Sequence, residues 1–301
     1  MSQLSPITRS YVELHIAVIF WGFSAILGDL IEMSWFMITW WRVLLASASL
    51  LIICRLFQAN LRITMEQTLK YTGIGVLVAV HWLTFFGSIK YANASVALIT
   101  YATAAFMISI LEPLILRTQI SKIEVCLGVV IIVAMAMVVQ GIDLSMRLGL
   151  ILGLISAFLS ALFGVINKKL VTDGDPLVIT TLEMLSASLF LSVLLPIWLW
   201  QTQDQIMPVA WDWVYLSILA FGCTSFAFLI SIRTLQYISV FAQSVVMNLE
   251  PIYGIILAVI ILGDHKDLTA GFYLGAFIIM CSVLTYPYLK RKLIRTSEIP
   301  Y

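Results

Sequence analysis

The sequence predicts an all-α polytopic membrane protein with ten transmembrane helices, arranged as two inverted five-helix repeats. Hydrophobic residues make up 61% of the chain, charged residues only 11%, and the mean hydropathy is +1.04. Soluble domains average about 25% charged residues, so this composition excludes them. The chain also divides into ten apolar segments, and the basic residues that border corresponding segments of the two halves change sides.

Each apolar segment is long enough to cross a bilayer. A hydrocarbon core about 30 Å thick requires about 20 apolar residues in a helix. Unpaired backbone groups are costly in lipid, so each segment should be helical. The first segment carries Glu13 and His15 and no small-residue cleavage site follows it, which favours a retained helix over a signal peptide. In chain order the segments are residues 11–29, 34–54, 71–89, 94–116, 124–142, 148–167, 176–200, 211–232, 239–262 and 270–289.

The basic residues predict the orientation of the chain. With the N-terminus in the cytoplasm, 13 Lys and Arg residues fall on the cytoplasmic side and three, Lys90, Arg147 and Lys266, fall outside. Cytoplasmic loops of membrane proteins are enriched in Lys and Arg, so we expect both termini in the cytoplasm. The cytoplasmic residues are Arg9, Arg55, Arg62, Lys70, Arg117, Lys122, Lys168, Lys169, Arg233, Lys290, Arg291, Lys292 and Arg295.

Corresponding loops of the two halves carry opposite charge. The turn after the first segment has Asp29 and Glu32 and no base, whereas the turn after the sixth has Lys168 and Lys169. Five helices per repeat is an odd number, so a duplicated repeat is inverted in the membrane. Inverted repeats build a site near the bilayer midplane that can open to either side, which favours a transporter. The predicted units are a first repeat over residues 1–145, an inverted second repeat over 146–289 and a cytoplasmic tail over 290–301.

Two stretches of the sequence carry a family resemblance. One is Asn248-Leu249-Glu250-Pro251-Ile252-Tyr253 with Leu262-Gly263-Asp264 and Gly275 after it, and the other is Leu111-Glu112-Pro113 in the first half. The pattern resembles the EamA-type transporters of the drug/metabolite transporter superfamily over about residues 12–290. The resemblance implies ten helices, cytoplasmic termini, a central cavity between two halves and a bacterial inner membrane. It also implies the movement of metabolites such as amino acids, often outward.

The fourth segment departs from the family pattern. Many members have a proline after the position of Thr103, and Ala104 stands there in this chain. We therefore expect no bend at Thr103, and Pro113 is the alternative position for one.

Five ionisable side chains lie within the apolar segments and are candidates for gating or coupling. An ionisable group deep in a span costs roughly 3 kcal/mol or more, so it usually faces the bundle interior or a wet cavity. The five are Arg42, His81, Glu112, Glu183 and Glu250.

Glu250 lies near the middle of the ninth segment and precedes Pro251. A proline removes one backbone hydrogen bond and frees a carbonyl about one turn earlier. The carboxylate and this carbonyl could bind an ammonium group or a proton; the alternative is a carboxyl that serves helix packing. Gln243 and Tyr253 align roughly with Glu250 on one helical face, and Asn248 lies off that face. All four are predicted to bind substrate.

His81 and three aromatic residues complete the predicted substrate site. The ordinary pKa of histidine is near neutral, so His81 suits proton coupling, although a neutral hydrogen-bonded role is the alternative. Trp21, Trp82 and Tyr101 could line a cavity for an organic solute and hold an amine by cation–π contact. The alternative for each is ordinary packing.

The remaining charges have gating or structural interpretations. Arg42 could clamp a substrate carboxylate in a bidentate manner. It could instead pair with Glu183 or Asp29, or extend to the outer interface. Glu112 lies near the cytoplasmic end of its segment close to Arg117, which favours a gate or a structural pair.

Several function classes lack support in the sequence. We find no nucleophile–base pattern, no metal-binding spacing and no Walker motif, so we expect neither an enzyme nor a cofactor. The four cysteines are predicted to be buried free thiols, and a net charge of +1 gives no reason to expect nucleic-acid binding. A lipid or amphiphile flippase and a channel-like facilitator stay open as alternatives. The expected partners are a small-molecule substrate and lipid, and the Gly149-xxx-Gly153 spacing is also compatible with a homodimer.

Overall fold

The computed structural model describes residues 5–61, 63–117, 119, 122–140, 143–171, 174–247, 249–263 and 269–297. Over these residues the chain forms helices and connecting turns, with no strand. Arg62 and Lys266, which entered the charge count, and the predicted site residue Asn248 lie outside the described residues. The same holds for the end of the predicted tail, residues 298–301.

Thirteen α-helical stretches make up the described fold, six in the first half and seven in the second. A 3-10 turn, Leu144–Met146, precedes α7, and two π-helical segments, Ile218–Phe226 and Ala258–Leu262, follow α9 and α12. The α-helices are α1 (Pro6–Leu30), α2 (Trp35–Leu56), α3 (Met65–Tyr91), α4 (Ala94–Tyr101), α5 (Ala104–Leu116), α6 (Lys122–Gln140), α7 (Arg147–Leu170), α8 (Pro176–Thr202), α9 (Ala210–Ser217), α10 (Ala227–Thr234), α11 (Val240–Met247), α12 (Leu249–Leu257) and α13 (Ala270–Ser297).

Seven helical stretches are long and apolar enough to cross a bilayer. They are α1, α2, α3, α8 and the stretches Ala94–Leu116, Leu144–Leu170 and Ala210–Thr234. Three shorter apolar helices are also present among the described residues, at Cys126–Met135, Ile252–Leu262 and Ala270–Ser282. Helices of this length and composition identify an integral membrane protein.

Polar side chains fix where several helices begin. The side chains of Ser34 and Asn93 accept hydrogen bonds from amides of the first turns of α2 and α4, at 3.4 and 2.9 Å. Thr64 and Gln67 form a reciprocal capping box at the start of α3. Each cap satisfies a first-turn N–H that has no partner within the helix.

The fourth apolar segment is interrupted between α4 and α5. The amide of Thr103 bonds to the carbonyl of Thr100 at 3.1 Å, and the Thr103 hydroxyl donates to the same carbonyl at 2.6 Å. A side-chain hydroxyl that competes for backbone acceptors weakens the α-helical pattern. α5 then continues through Pro113 to Leu116. The α-helical hydrogen-bond pattern is therefore interrupted at Thr103 without a proline, and the absence of a bend there stays a prediction.

The two halves pack extensively against each other. α2 and α3 of the first half lie against α8, α3 also lies against α7, and α1 packs on α10 and α12. Small residues allow this proximity. A Cβ atom placed on Gly149 would lie 2.6 Å from the Cβ of Ala92, and one on Gly153 would overlap the side chain of Thr100. The Gly149-xxx-Gly153 pair therefore serves contacts within the chain.

The cysteines divide into two groups. All four are free thiols, and Cys54 and Cys223 are buried as predicted. Cys126 and Cys281 are exposed on the outer surfaces of α6 and α13, so the prediction that all four are buried is wrong for these two. Exposed apolar positions on a spanning helix face lipid, where a thiol is readily accommodated.

Candidate functional site

A cavity lined by residues of both halves of the fold contains most of the predicted site residues. Its volume is about 60 Å³, measured as the space open to the centre of a water molecule. One water occupies about 10–15 Å³ on this measure, so the cavity holds roughly four to six waters. Six of the predicted residues line it, namely Trp21, Arg42, His81, Trp82, Tyr101 and Glu250. The other six lining residues are Ser24, Phe85, Phe163, Phe228, Ser231 and Met247.

A second cavity of about 40 Å³ adjoins this central cavity. The two share walls at Tyr101, Phe163 and Phe228, and the second extends toward Leu235 and the start of α11. Gln243 lines the second cavity. The two cavities together mark a path from the protein centre toward the end of the bundle where the chain begins.

Arg42 is held in the central cavity by neutral groups. The residue is 2% exposed. Its Nε donates to Thr224 Oγ1 at 2.6 Å, and its two terminal nitrogens lie 3.3 Å from Ser24 Oγ and from the carbonyl oxygen of Cys223. Arg42 takes part in none of the ion pairs found among the described residues. The predicted alternatives of a pair with Glu183 or Asp29, or of an extension to the outer interface, are therefore wrong for this conformation.

An indole ring lies against the Arg42 guanidinium. The guanidinium carbon is 4.1 Å from the centroid of the Trp82 ring and 5.4 Å from that of Phe86. Cation–π contacts of this kind gain strength where the cation is desolvated. The aromatic face thus stabilises a buried cation and leaves its hydrogen-bonding edge to the neutral acceptors.

The π-helical segment Ile218–Phe226 provides two of these acceptors. The amide of Ala227 donates to the carbonyl of Gly222, five residues back, and so leaves the carbonyl of Cys223 that a regular α-helix would use. That carbonyl accepts from Trp21 Nε1 at 2.9 Å and from Arg42. π-Helical insertions frequently mark functional sites for this reason. The sequence signal was the polar run at residues 223–225 inside an apolar segment.

Glu250 enters the central cavity from α12. It is 5% exposed, and no hydrogen bond or ion pair to its carboxyl is found among the described residues. Gln243, Glu250 and Tyr253 were predicted to share one helical face. Only Glu250 of these three lines the central cavity. Tyr253 is 45% exposed and lines neither cavity. The structure gives no placement for Asn248.

Gln243 is bound to α10. Its side-chain nitrogen donates to the hydroxyl and carbonyl oxygens of Ser231 at 2.7 and 2.9 Å. Ser231 itself lines both cavities. Gln243 therefore positions a polar wall residue of the central cavity without lining that cavity itself.

His81 is fixed through one ring nitrogen and surrounded by aromatic rings. Its Nδ1 lies 2.9 Å from both the carbonyl and the hydroxyl oxygen of Ser156 on α7. The centroids of Phe163 and Tyr101 lie 5.4 and 5.8 Å from that of the imidazole. The Tyr101 hydroxyl in turn bonds to Ser160 at 2.9 Å. These contacts tie α3 and α4 of the first half to α7 of the second.

The other two acidic candidates lie away from the cavity. Glu183 on α8 is fully buried, and its Oε2 accepts a hydrogen bond from Asn167 on α7 at 3.3 Å. Glu112 is half-buried near the end of α5, within electrostatic reach of Lys168. Neither lines the central or the second cavity.

An ionic contact that the sequence analysis did not anticipate links α1 to α10. Oε1 of Glu13 lies 2.7 Å from Nε of Arg9 and 2.5 Å from a terminal nitrogen of Arg233. Beside it, the ammonium of Lys168 donates to the carbonyl of Leu235 at 2.5 Å. These contacts lie at the end of the bundle toward which the second cavity extends.

The described residues contain no group of three or more His, Cys, Asp or Glu side chains arranged to hold a metal ion. The polar groups of the central cavity are instead one guanidinium, one carboxyl, one imidazole and several hydroxyls. Groups of this kind bind the charged ends of small organic molecules.

Comparisons with known proteins identify the family. None of the individually curated proteins matches the chain. A solved structure described as "Crystal structure of protein" has the same fold, with a TM-score of 0.70 and 14% sequence identity, over 95% of this chain and 99% of the other. The sequence profile of the EamA-like transporter family matches the chain twice, at residues 10–140 and 147–286. The chain therefore belongs to the EamA-like transporter family, as its motifs predicted.

Proposed function

We propose that this chain is a secondary transporter that moves a small organic metabolite bearing both an ammonium and a carboxylate group, such as an amino acid or a related solute. One observation carries this proposal. Arg42 and Glu250 line the same buried cavity, and no ion pair joins them. A molecule with two opposite charges can satisfy both side chains at once.

The Arg42 side suits a carboxylate. The guanidinium is hydrogen-bonded by hydroxyl and carbonyl oxygens that carry no net charge. Glu250 lies within electrostatic reach of it, but no ion pair to Arg42 is found among the described residues. Guanidinium–carboxylate contacts are charge-assisted and often bidentate. The π-helical segment and Trp82 keep the group in place, which reduces the ordering cost of binding.

The Glu250 side suits an ammonium group. The carboxyl faces the cavity, and Trp82, Tyr101 and Phe228 supply aromatic surfaces in the same wall. Carboxylates and aromatic faces both attract ammonium groups. His81 lies in this wall as well, so it is a candidate for coupling.

The small volume of the cavity supports alternating access. The cavity has space for roughly four to six waters, so a larger metabolite would require it to widen as the two halves move during transport. Rupture of the Glu13–Arg233 ion pair and of the bonds from Lys168 to the carbonyls of Leu235 and Ile238 would open the second cavity to one side. Rocking of one repeat against the other is the movement that inverted repeats allow.

We further propose that ten helices cross a bacterial inner membrane, with both termini in the cytoplasm. The 13 to 3 distribution of basic residues supports this orientation, and the two family matches support a repeat over residues 1–145 and a second, inverted one over 146–289. In this arrangement α4 and α5 count as one span, as do α9 and α10 and also α11 and α12. We expect net export of the metabolite.

Binding to the purified protein tests the substrate class. Thermal unfolding of detergent-solubilised protein would be measured with an amino acid, with its amide, which lacks the carboxylate, and with the corresponding acid, which lacks the amine. A ligand at 100 times its dissociation constant stabilises by about 2.7 kcal/mol. We expect the zwitterion to stabilise the wild-type protein most. In Glu250→Gln, the zwitterion should stabilise the protein no more than the acid that lacks the amine. In Arg42→Met, the zwitterion should stabilise it no more than the amide that lacks the carboxylate.

The same assay can contradict the proposal. Stabilisation by phospholipids or amphiphiles and by no zwitterion would favour a flippase. Counterflow in proteoliposomes provides the second readout, because a carrier exchanges labelled for unlabelled substrate and saturates. Flux that rises linearly with concentration would favour a channel-like facilitator.

A further inference from the structure

Glu183 lies at the centre of a buried polar cluster that is separate from both cavities. The residue is fully buried. Three buried side-chain atoms here have no hydrogen-bond partner among the described residues, namely Glu183 Oε1, Asn167 Oδ1 and Thr180 Oγ1. Asn167 donates its amide to the other carboxyl oxygen at 3.3 Å, and Thr180 precedes Glu183 by three residues on the same face of α8.

The cations of the helices packed against α8 do not neutralise this carboxyl. Lys70 on α3 and Arg233 on α10 form ion pairs with Glu66 and Glu13, and Arg55 on α2 is exposed. On α7, the Lys168 ammonium bonds to backbone carbonyls and Lys169 is exposed. Arg42 and His81 are held in the central cavity.

Two buried titratable groups on these helices are uncharged in their ordinary state. The Cys54 thiol on α2 lies 3.1 Å from the hydroxyl of Thr181, and Tyr71 on α3 has its hydroxyl beside Gly174. Neither supplies a positive charge. The Glu183 carboxyl is therefore bonded by one neutral amide donor and faces no described cation.

An ionised carboxylate is unfavourable in such a place. A buried charge requires a partner of opposite charge or several hydrogen bonds, and Glu183 has one long bond. A proton on Oε1 removes the charge and turns an unpartnered acceptor into an O–H donor. The unpartnered Oδ1 of Asn167, on the side-chain amide that already bonds the other carboxyl oxygen, is the acceptor for that donor.

We propose that Glu183 is a proton-binding site distinct from the substrate cavity, and that its carboxyl carries a proton in the described conformation. Its place in the fold connects this site to transport. Glu183 and Arg42 each stand seven residues after the first residue of their helix, α8 and α2. Each bonds to a polar residue near the end of the helix that opens its half, Asn167 on α7 and Ser24 on α1.

Because Glu183 and Arg42 occupy equivalent positions in the two halves, the proton on Glu183 has a role in the transport cycle. This inference rests on the proposed alternating access. Arg42 faces a cavity with space for several waters, whereas Glu183 is fully buried and lines no cavity described above. When two inverted repeats exchange conformations, the environment of Arg42 passes to the position of Glu183. The carboxyl then meets water and releases its proton, and the proton must return before the site closes again.

Infrared spectroscopy tests the proton directly. The absorption of a protonated carboxyl is separate from that of a carboxylate and shifts in D₂O. We expect the wild-type protein at neutral pH to show a carboxylic acid band that Glu183→Gln lacks and that Glu250→Gln retains. If Glu183→Gln instead loses carboxylate absorption and keeps the acid band, Glu183 is ionised and the proposal fails.

A second variant makes the infrared test independent of the folding of Glu183→Gln. Asn167→Ala removes the amide that bonds the carboxyl and should shift the acid band of the wild-type protein to higher frequency. A band that Asn167→Ala leaves unmoved belongs to another carboxyl, and this result would also overturn the assignment.

Transport under a pH gradient tests the role in the cycle. For one proton per substrate, a gradient of one pH unit corresponds to a tenfold change in accumulation, or about 1.4 kcal/mol. Glu183→Gln should bind substrate and exchange it at equal pH, but lose this tenfold response. An equal response in wild type and variant would overturn the coupling role. Absence of substrate binding by the wild-type protein would contradict the proposed function and leave the infrared result standing.

Discussion

The guanidinium carbon of Arg42 lies 4.1 Å from the centroid of the Trp82 ring, so one face of a buried cation is covered by an indole. This contact joins α2 to α3 at the wall of the central cavity. It leaves the guanidinium edge for hydrogen bonds, of which three go to neutral atoms of α1 and of the π-helical segment. A substrate carboxylate would add the negative charge that these contacts lack.

Replacement of Trp82 tests the importance of the indole. Trp82→Leu removes the aromatic face and keeps an apolar side chain. A desolvated cation–π contact contributes about 2 kcal/mol, so we expect substrate affinity to fall by at least tenfold. Trp200→Leu is the control, because Trp200 is 83% exposed and lies near the end of α8, away from the central cavity. Unchanged affinity in Trp82→Leu, measured by ligand titration of the thermal shift, would mean that the indole serves packing alone.

Replacement of Thr224 tests the anchor of Arg42. Thr224→Val keeps the side-chain shape and removes the oxygen that accepts from Arg42 Nε at 2.6 Å. A hydrogen bond to a charged group contributes about 1.5–3 kcal/mol, and its loss leaves a buried donor without a partner. We expect a lower melting temperature and weaker substrate binding. Thr285→Val, at an exposed threonine of α13, should leave both near wild type; equal effects of the two changes would argue against the anchor.

The sequence predicted the polar content of the site better than its geometry. Arg42, His81 and Glu250 could be chosen because ionisable groups inside apolar segments must face an interior cavity, and all three line it. Phe163 and Phe228 could not be chosen, because nothing in an apolar helix distinguishes a cavity-lining ring from a packed one. The prediction of buried cysteines failed at Cys126 and Cys281 for a related reason, since hydropathy does not separate lipid-facing positions from buried ones.

Contacts that depend on tertiary structure were also beyond the sequence. Arg42 bonds to Cys223 and Thr224, which lie about 180 residues away along the chain. The five-residue hydrogen bond at Gly222 that makes this possible could not be derived from the polar run at residues 223–225 alone. Glu183 was predicted as an ionisable group inside a span, but its separation from the cavity depends on tertiary packing that the sequence does not show.

Two glycines on α3 provide a matched pair for the interface between the halves. A Cβ on Gly75 would overlap the backbone carbonyl of Glu183 and lie 2.7 Å from the Cβ of Ser186, whereas one on Gly73 meets nothing within 4 Å. Gly75→Ala should therefore separate α3 from α8 and lower the melting temperature. Gly73→Ala should be neutral or stabilising, since alanine favours a helix by about 1 kcal/mol over glycine. Similar melting temperatures for the two variants would show that α3 and α8 do not approach closely at Gly75.

Glu13 tests whether the ionic contact between α1 and α10 acts as a gate. Its carboxyl bonds to Arg9 and Arg233, whose side chains are 54% and 41% exposed. Partly exposed ion pairs contribute at most about 1 kcal/mol, so Glu13→Gln should change the melting temperature little.

A gate is expected to respond differently, because a small bias between open and closed states changes their populations severalfold. We expect Glu13→Gln to alter the rate of substrate exchange in proteoliposomes, and to increase the labelling of a cysteine placed at Val240 in the second cavity. Glu66→Gln, which removes the exposed pair with Lys70 on α3, is the matched control and should change neither rate nor labelling. If both variants behave alike, the Glu13 contact is a surface ion pair, and the end of the bundle is closed by the Lys168 contacts instead.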